Sequence, residues 1–233
     1  MPTLAEYKER LSYHFNTPNS KPWTWVFYGD SITHGAAGKW VRVLGPYAGR
    51  LGSKGCVWGL GMHSNPTGAT TKREGDGRSP AGIYSLGGLW VSNPTPVQHD
   101  PAIPYVRVGP NDLWVSDPRT PHLYNRHVRL DHPATTAWEK REQMRQTDYP
   151  HSIKLLVHHN TPESVGKPRV GAGSSIFMHI WRRDGAAPTA GCTSMDEQVL
   201  RQFIARLRAD RNPVYILLPR DEYTRLRKSW NLP

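Results

Sequence analysis

The chain has 233 residues, a net charge of +11, 21 glycines, 21 prolines and two cysteines. That length supports one sizeable core with room for an extension. The Gly and Pro content argues against a helical bundle, and Cys56 and Cys192, far apart, do not make a disulfide framework. The positive balance suits a polyanionic neighbour, either a phosphate-bearing wall polymer or nucleic acid. No nucleic-acid motif occurs and the basic residues are scattered, so a solvated basic surface explains most of them. No metal-ligand spacing occurs, and no apolar run is long enough for a membrane span.

In chain order, Thr3 and Glu6 form a capping box ahead of a helical stripe of Leu4, Tyr7, Leu11 and Phe15. Residues 16–22 break that helix, and Trp23 to Tyr28 reads as a strand. The charged start is followed by no apolar core, so it does not read as a signal peptide. Beyond Lys39, glycines and prolines punctuate short alternating runs, as hairpins require. Trp40 to Val43 and Ile153 to Val157 are strands, Trp138 to Met144 is a short helical piece, and Ile176 to Trp181 is an apolar run carrying His179. Val199, Leu200, Phe203, Ile204 and Leu207 form one apolar helical face. Val214 to Leu218 is a buried strand, followed by a last short helix that Asp221 opens. The expected fold is mainly β, a sandwich or open barrel with one principal helix after Cys192.

The chemistry centres on His179 and Cys192. An imidazole inside a strand needs a partner, and a cysteine near it suggests a thiol whose proton the histidine takes before attack on a carbonyl. Gly191 permits a sharp turn and close substrate approach. Ser194 and Glu197 read as a capping box, which would set Cys192 just before a helix N-terminus and lower its pKa. The plainer reading, a buried structural cysteine and a satisfied core histidine, fits the spacing equally well.

Two families are resembled. Gly29-Asp30-Ser31-Ile32-Thr33, Gly109-Pro110-Asn111-Asp112 and Asp148-Tyr149-Pro150-His151 are similar to the blocks of GDSL/SGNH esterases, with Ser31 as nucleophile. That fold needs repeated strand-helix alternation, which residues 40–135 lack, and Pro150 is poor inside a helix. Ser174 to Trp181 with Pro188-Thr189-Ala190-Gly191-Cys192-Thr193 resembles the active-site segment of L,D-transpeptidase (YkuD-type) catalytic domains. Lys72 to Tyr84, Leu113 to Pro118, Tyr124 to Arg126 and His158-His159-Asn160 resemble further segments of that family.

This second resemblance implies a catalytic domain over 39–233, with 1–38 an esterase-like extension. It implies a cofactor-free enzyme, monomeric and in the cell envelope, that acts on peptidoglycan stem peptides and binds no nucleic acid. Cys192 would be the nucleophile and His179 its base. Backbone N–H groups among Gly191, Cys192 and Thr193 would hold the oxyanion, and Thr189, Ser194, Asn160 and Arg73 would meet the substrate. The better-known branch carries a second histidine two residues before the cysteine, and an arginine or asparagine two residues after it. This chain has Ala190 and Ser194 there. The esterase using Ser31 and a catalytically silent wall-binding module are the alternative classes.

Overall fold

The computed structural model describes residues 25–30, 41–44, 49–144, 147–230 and 232. The expected helix over Leu4 to Phe15 and the esterase-like Ser31 lie outside them. Among the described residues the fold is mainly β. Its strands are β1 (Trp25–Asp30), β2 (Val41–Leu44), β3 (Cys56–Trp58), β4 (Ser79–Val91), β5 (Tyr105–Arg107), β6 (Asp112–Val115), β7 (Arg126–Arg129), β8 (Ile153–Val157), β9 (Phe177–Ile180), β10 (Thr193–Met195) and β11 (Val214–Leu218). Its α-helices are α1 (Ala137–Glu142), α2 (Pro162–Val165), α3 (Glu197–Arg206) and α4 (Arg220–Leu226).

A mixed sheet runs in the order β10-β9-β8-β4-β11-β1-β2, with β3 and β5 also pairing β4; β6 and β7 form a separate hairpin. The long β4 joins two halves of this sheet. Its first part pairs with β11 through Gly82 to Ser85, and its second part pairs with β8 through Leu86 to Val91. The register shifts between Leu86 and Leu89. Gly87 and Gly88 lie at that shift, where a Cβ on Gly88 would come within 2.9 Å of the Pro104 carbonyl oxygen, so a side chain would collide with backbone.

Side-chain alternation along the strands separates two buried faces. Leu89, Val91, Ile153, Leu155, Val157, Met178, Ile180 and Met195 pack with Leu200, Phe203 and Ile204 of α3 in the main core. The intervening residues Trp90, Leu156 and Phe177 face the other way, into a smaller cluster with Trp114 and Met144.

The principal helix follows Cys192, but not directly. Residues 193–195 form β10, which pairs in parallel with β9, and the cap of α3 is Asp196, whose side chain accepts from the N–H groups of Gln198 and Val199. The Ser194–Glu197 capping box is therefore corrected: a strand intervenes, and Asp196 lies one residue ahead of the helix, in reach of its free N–H groups. The last helix likewise starts after Pro219 rather than at a capping Asp221. Thr136 and Glu139 form a true capping box on α1.

Strand β1 precedes Lys39 yet pairs antiparallel with β11, from Trp25↔Leu218 to Gly29↔Val214.

Candidate active site

Strand register builds the site. Trp90 on β4 is opposite Lys154 on β8, Lys154 is opposite His179 on β9, and His179 is opposite Ser194 on β10. The result is a cross-strand row on the face away from the main core. Lys154, His179 and Ser194 are all buried, at 4%, 3% and 1% exposure, and all three line a cleft of about 440 Å³. Cys192 lies at the head of β10 and lines the same cleft. The β6–β7 hairpin and the end of α1 supply the opposite wall through Trp114, Ser116, Arg141 and Glu142. That wall is tied together where Glu142 Oε2 accepts from the Ser116 N–H at 2.6 Å and its hydroxyl at 2.8 Å.

The loop bearing the cysteine is held on both sides. Thr189 Oγ1 donates to the Cys192 carbonyl at 2.6 Å and accepts the Gly191 N–H at 3.1 Å. Ser79 Oγ donates to the same carbonyl at 3.1 Å. A Cβ on Gly191 would lie 3.0 Å from the Arg78 carbonyl oxygen, so the turn is tight against β4. The Cys192 thiol donates to the Ser175 carbonyl at 3.3 Å and receives the Phe177 N–H at 3.4 Å.

Burial sets the resting protonation. It pushes the Cys192 thiol up, with the Phe177 N–H and the charges of Lys72 and Lys154 acting the other way. It pushes His179 down to about 3, helped by neighbouring His151. Both shifts favour a neutral thiol and a neutral imidazole in this cleft. The expected thiol lowered by a helix N-terminus is corrected by the same geometry that moved the cap, because β10 separates Cys192 from α3. His179 Nδ1 lies 2.7 Å from the Ile180 carbonyl oxygen. A carbonyl only accepts, so Nδ1 carries the proton and Nε2 keeps its lone pair.

Of the sequence-derived residues, Cys192, His179, Thr189 and Ser194 share the cleft. The Ser194 hydroxyl is buried with no hydrogen-bond partner among the described residues. The Thr193 side chain points the other way, its hydroxyl 2.8 Å from that of Tyr215. Asn160 takes a positive φ of 53° and staples its own loop, donating to the carbonyls of Arg169 and Gly173 and accepting from the Arg169 N–H. Arg73 is exposed in a turn closed by Asp76. Neither Asn160 nor Arg73 lines the cleft.

The fold adds Lys154 and Arg182 to the cleft, and brings in the pair Asp148–His151, which the sequence had offered only as an esterase-like block. The ring centroid of His151 lies 4.2 Å from that of His179. A lysine within the apolar run Ile153 to Val157 was the available signal for Lys154.

The model of the YkuD family, L,D-transpeptidase catalytic domain, matches residues 59–216. The chain belongs to this family. No curated protein and no solved structure matches it. The YkuD match runs from just after β3 into β11 and includes every cleft residue named above. Among the described residues, no group of His, Cys, Asp and Glu side chains is placed to hold a metal ion, and no helix is long and apolar enough to cross a membrane.

Proposed function

We propose that this YkuD-family chain is a cysteine-dependent L,D-transpeptidase acting on peptidoglycan stem peptides. The observation that carries the reading is the presence, in one cleft, of a thiol and of an imidazole whose Nδ1 is tied and whose Nε2 keeps its lone pair. The donor is a tetrapeptide stem. His179 Nε2 takes the thiol proton as Sγ attacks the carbonyl carbon of the third residue. The amide C–N bond breaks, His179 returns the proton to the departing amine, and terminal D-alanine leaves. The acyl group on Cys192 then passes to an amine of a second stem, or to water.

The neutral resting pair means that the thiolate forms during attack rather than beforehand. The charges of Lys72 and Lys154 both favour the thiolate. Lys72 is held by the Arg73 carbonyl and by Asp76, whereas Lys154 Nζ makes no hydrogen bond among the described residues.

Gly191 and Thr193 remain proposed oxyanion donors. The Gly191 N–H is on Thr189 Oγ1 and would have to turn from it. Thr189 and Ser194 are the proposed substrate contacts, Ser194 through its unpartnered hydroxyl. Asn160 and Arg73 are assigned to loop structure. The reading also carries an envelope location and a monomeric enzyme.

The experiment is incubation of the full chain with a disaccharide-tetrapeptide, followed by assay for free D-alanine and for cross-linked dimer. Release by the wild-type chain and none by Cys192→Ala is expected. Equal release by both would overturn the assignment, and release lost only in Ser31→Ala would move it to the esterase class.

A further inference from the structure

Asp148 and His151, which the esterase resemblance singled out, do meet. They lie together beside the cleft rather than on a helix. Residues Tyr149–His151 form a single 3₁₀ turn with Pro150 in its first positions, so the proline that disfavours a helix is compatible with this turn. The turn is pinned at both ends. Tyr149 Oη donates to Glu197 of α3 at 2.5 Å, and buried Ser152 receives the Asn93 side-chain amide at 2.9 Å. His151 is thereby laid against His179 at the cleft wall.

The hydrogen bonds fix what His151 offers. Its Nδ1 lies 2.8 Å from Asp148 Oδ2. The carboxylate only accepts, so Nδ1 donates and the Nε2 lone pair is left, with no partner among the described residues. Arg182 donates to the same Oδ2 at 2.5 Å, and its 3.4 Å approach to His151 Nδ1 follows from sharing that oxygen. The cleft therefore holds two imidazoles of the same tautomer, one tied by a carbonyl and one by a carboxylate. They differ in access: the His179 ring is buried, while the His151 side chain is 27% exposed. The groups facing His151 are Asp148, Arg182, Lys154 and His179.

Resting on the transpeptidase reading above, we propose that His151, oriented by Asp148, is a second general base of this cleft and serves the incoming acceptor amine. In the transfer step the amine nitrogen attacks the thioester carbonyl carbon of acyl-Cys192 and a C–N bond forms. His151 Nε2 takes the proton lost from that nitrogen. The C–S bond breaks with its electron pair going to Sγ. The proton then returns to sulfur, restoring the resting thiol and a neutral His151. The carboxylate of Asp148 favours the imidazolium formed in between. His151 comes from the turn ahead of β8, 41 residues before Cys192, so no motif around Cys192 reveals it.

The test separates acylation from transfer. Full-length wild type, His151→Gln and Asp148→Asn are acylated with a tetrapeptide stem. Intact mass is followed as the adduct forms, and again as it decays on adding a second, amine-bearing stem. The expected result is that transfer falls by about 10²-fold or more in His151→Gln, the usual range for general-base loss. That loss should exceed any loss in acylation by at least tenfold. Added imidazole should restore part of the transfer rate. Asp148→Asn, which leaves the ring in place, should show the same bias in weaker form. Equal losses in both steps, or transfer as fast as wild type, would overturn the inference alone. Absence of any adduct on the wild-type chain would overturn the transpeptidase reading and this inference together.

Discussion

The two faces of the strands β4, β8, β9 and β10 are both buried, and they differ in one respect. On one face Leu89, Leu155, Met178 and Met195 meet α3 in apolar contact throughout. On the other, Trp90, Lys154, His179 and Ser194 stand in the adjacent cross-strand row with polar atoms and few partners. Burying polar groups without matching hydrogen bonds is unfavourable, by roughly 1–3 kcal/mol per group in mutational data. The first face keeps the sheet folded; the second, which carries the candidate site, is held at the expense of stability.

The largest effect expected on the polar face is kinetic. His179→Ala should slow acylation of Cys192 by about 10²- to 10⁴-fold, measured by stopped-flow with an activated donor, a loss far larger than any fall in stability accounts for. A folded variant that loses melting temperature but acylates as fast as wild type would mean that His179 belongs to the structural face.

The contrast sharpens with paired substitutions at neighbouring positions. Leu155→Ala should lose about 2–5 kcal/mol of stability by leaving a cavity. Lys154→Met should lose none, because it replaces a buried cation with an apolar chain of similar length. The pH dependence checks the cause. Burial pushes Lys154 down to about 8, against an ordinary 10.5. Between those values the unfolded chain binds more protons at this lysine than the folded one, so this group makes wild-type stability rise with pH across that window. The rise should reach roughly 3 kcal/mol. Lys154→Met should remove it, as urea titrations at pH 7.5 and 10.5 would show. An unchanged slope would place the lysine in water.

Removing residues 1–38 probes the far edge of the sheet. A chain beginning at Lys39 loses β1 and bares the edge of β11, whereas the cleft lies among β8, β9 and β10. The domain division proposed here expects native-like near-UV circular dichroism and unchanged labelling of Cys192, with a lower melting temperature and some self-association from the open edge. Loss of the folded spectrum would make β1 part of the catalytic core.

The smallest effect separates cap from cleft. Asp196→Ala should cost about 0.5–2 kcal/mol as an N-cap. Ser194→Ala should cost nothing in chemical denaturation, since its hydroxyl has no partner among the described residues. The reverse order would restore the Ser194 capping box.

These residues also show how far the sequence was legible. The strand Ile153 to Val157 and the apolar helical face from Val199 to Leu207 are local patterns, and they folded as read, the helix ending at Arg206. The segment from Cys192 to Glu197 was misread because Thr193 to Met195 is a strand only through its parallel pairing with β9, a non-local contact that propensity does not carry. The site divides in the same way. Cys192 and His179 sit in a recognisable segment. Lys154 and His151 reach the cleft through cross-strand register and a turn, and the spacing of Asp148 and His151 in the chain pointed to another family rather than to this cleft.

The central claim, that Cys192 is a nucleophile served by His179, is tested most directly by peptide-mapped mass spectrometry after exposure to a carbapenem. A strained lactam carbonyl mimics the scissile amide, and attack by Sγ opens the ring to a thioester that persists where water is excluded. The account predicts one adduct, on the peptide carrying Cys192, slower in His179→Ala and absent in Cys192→Ala. An adduct on Ser31, or none on Cys192 while a tetrapeptide stem is also left untouched, would contradict it.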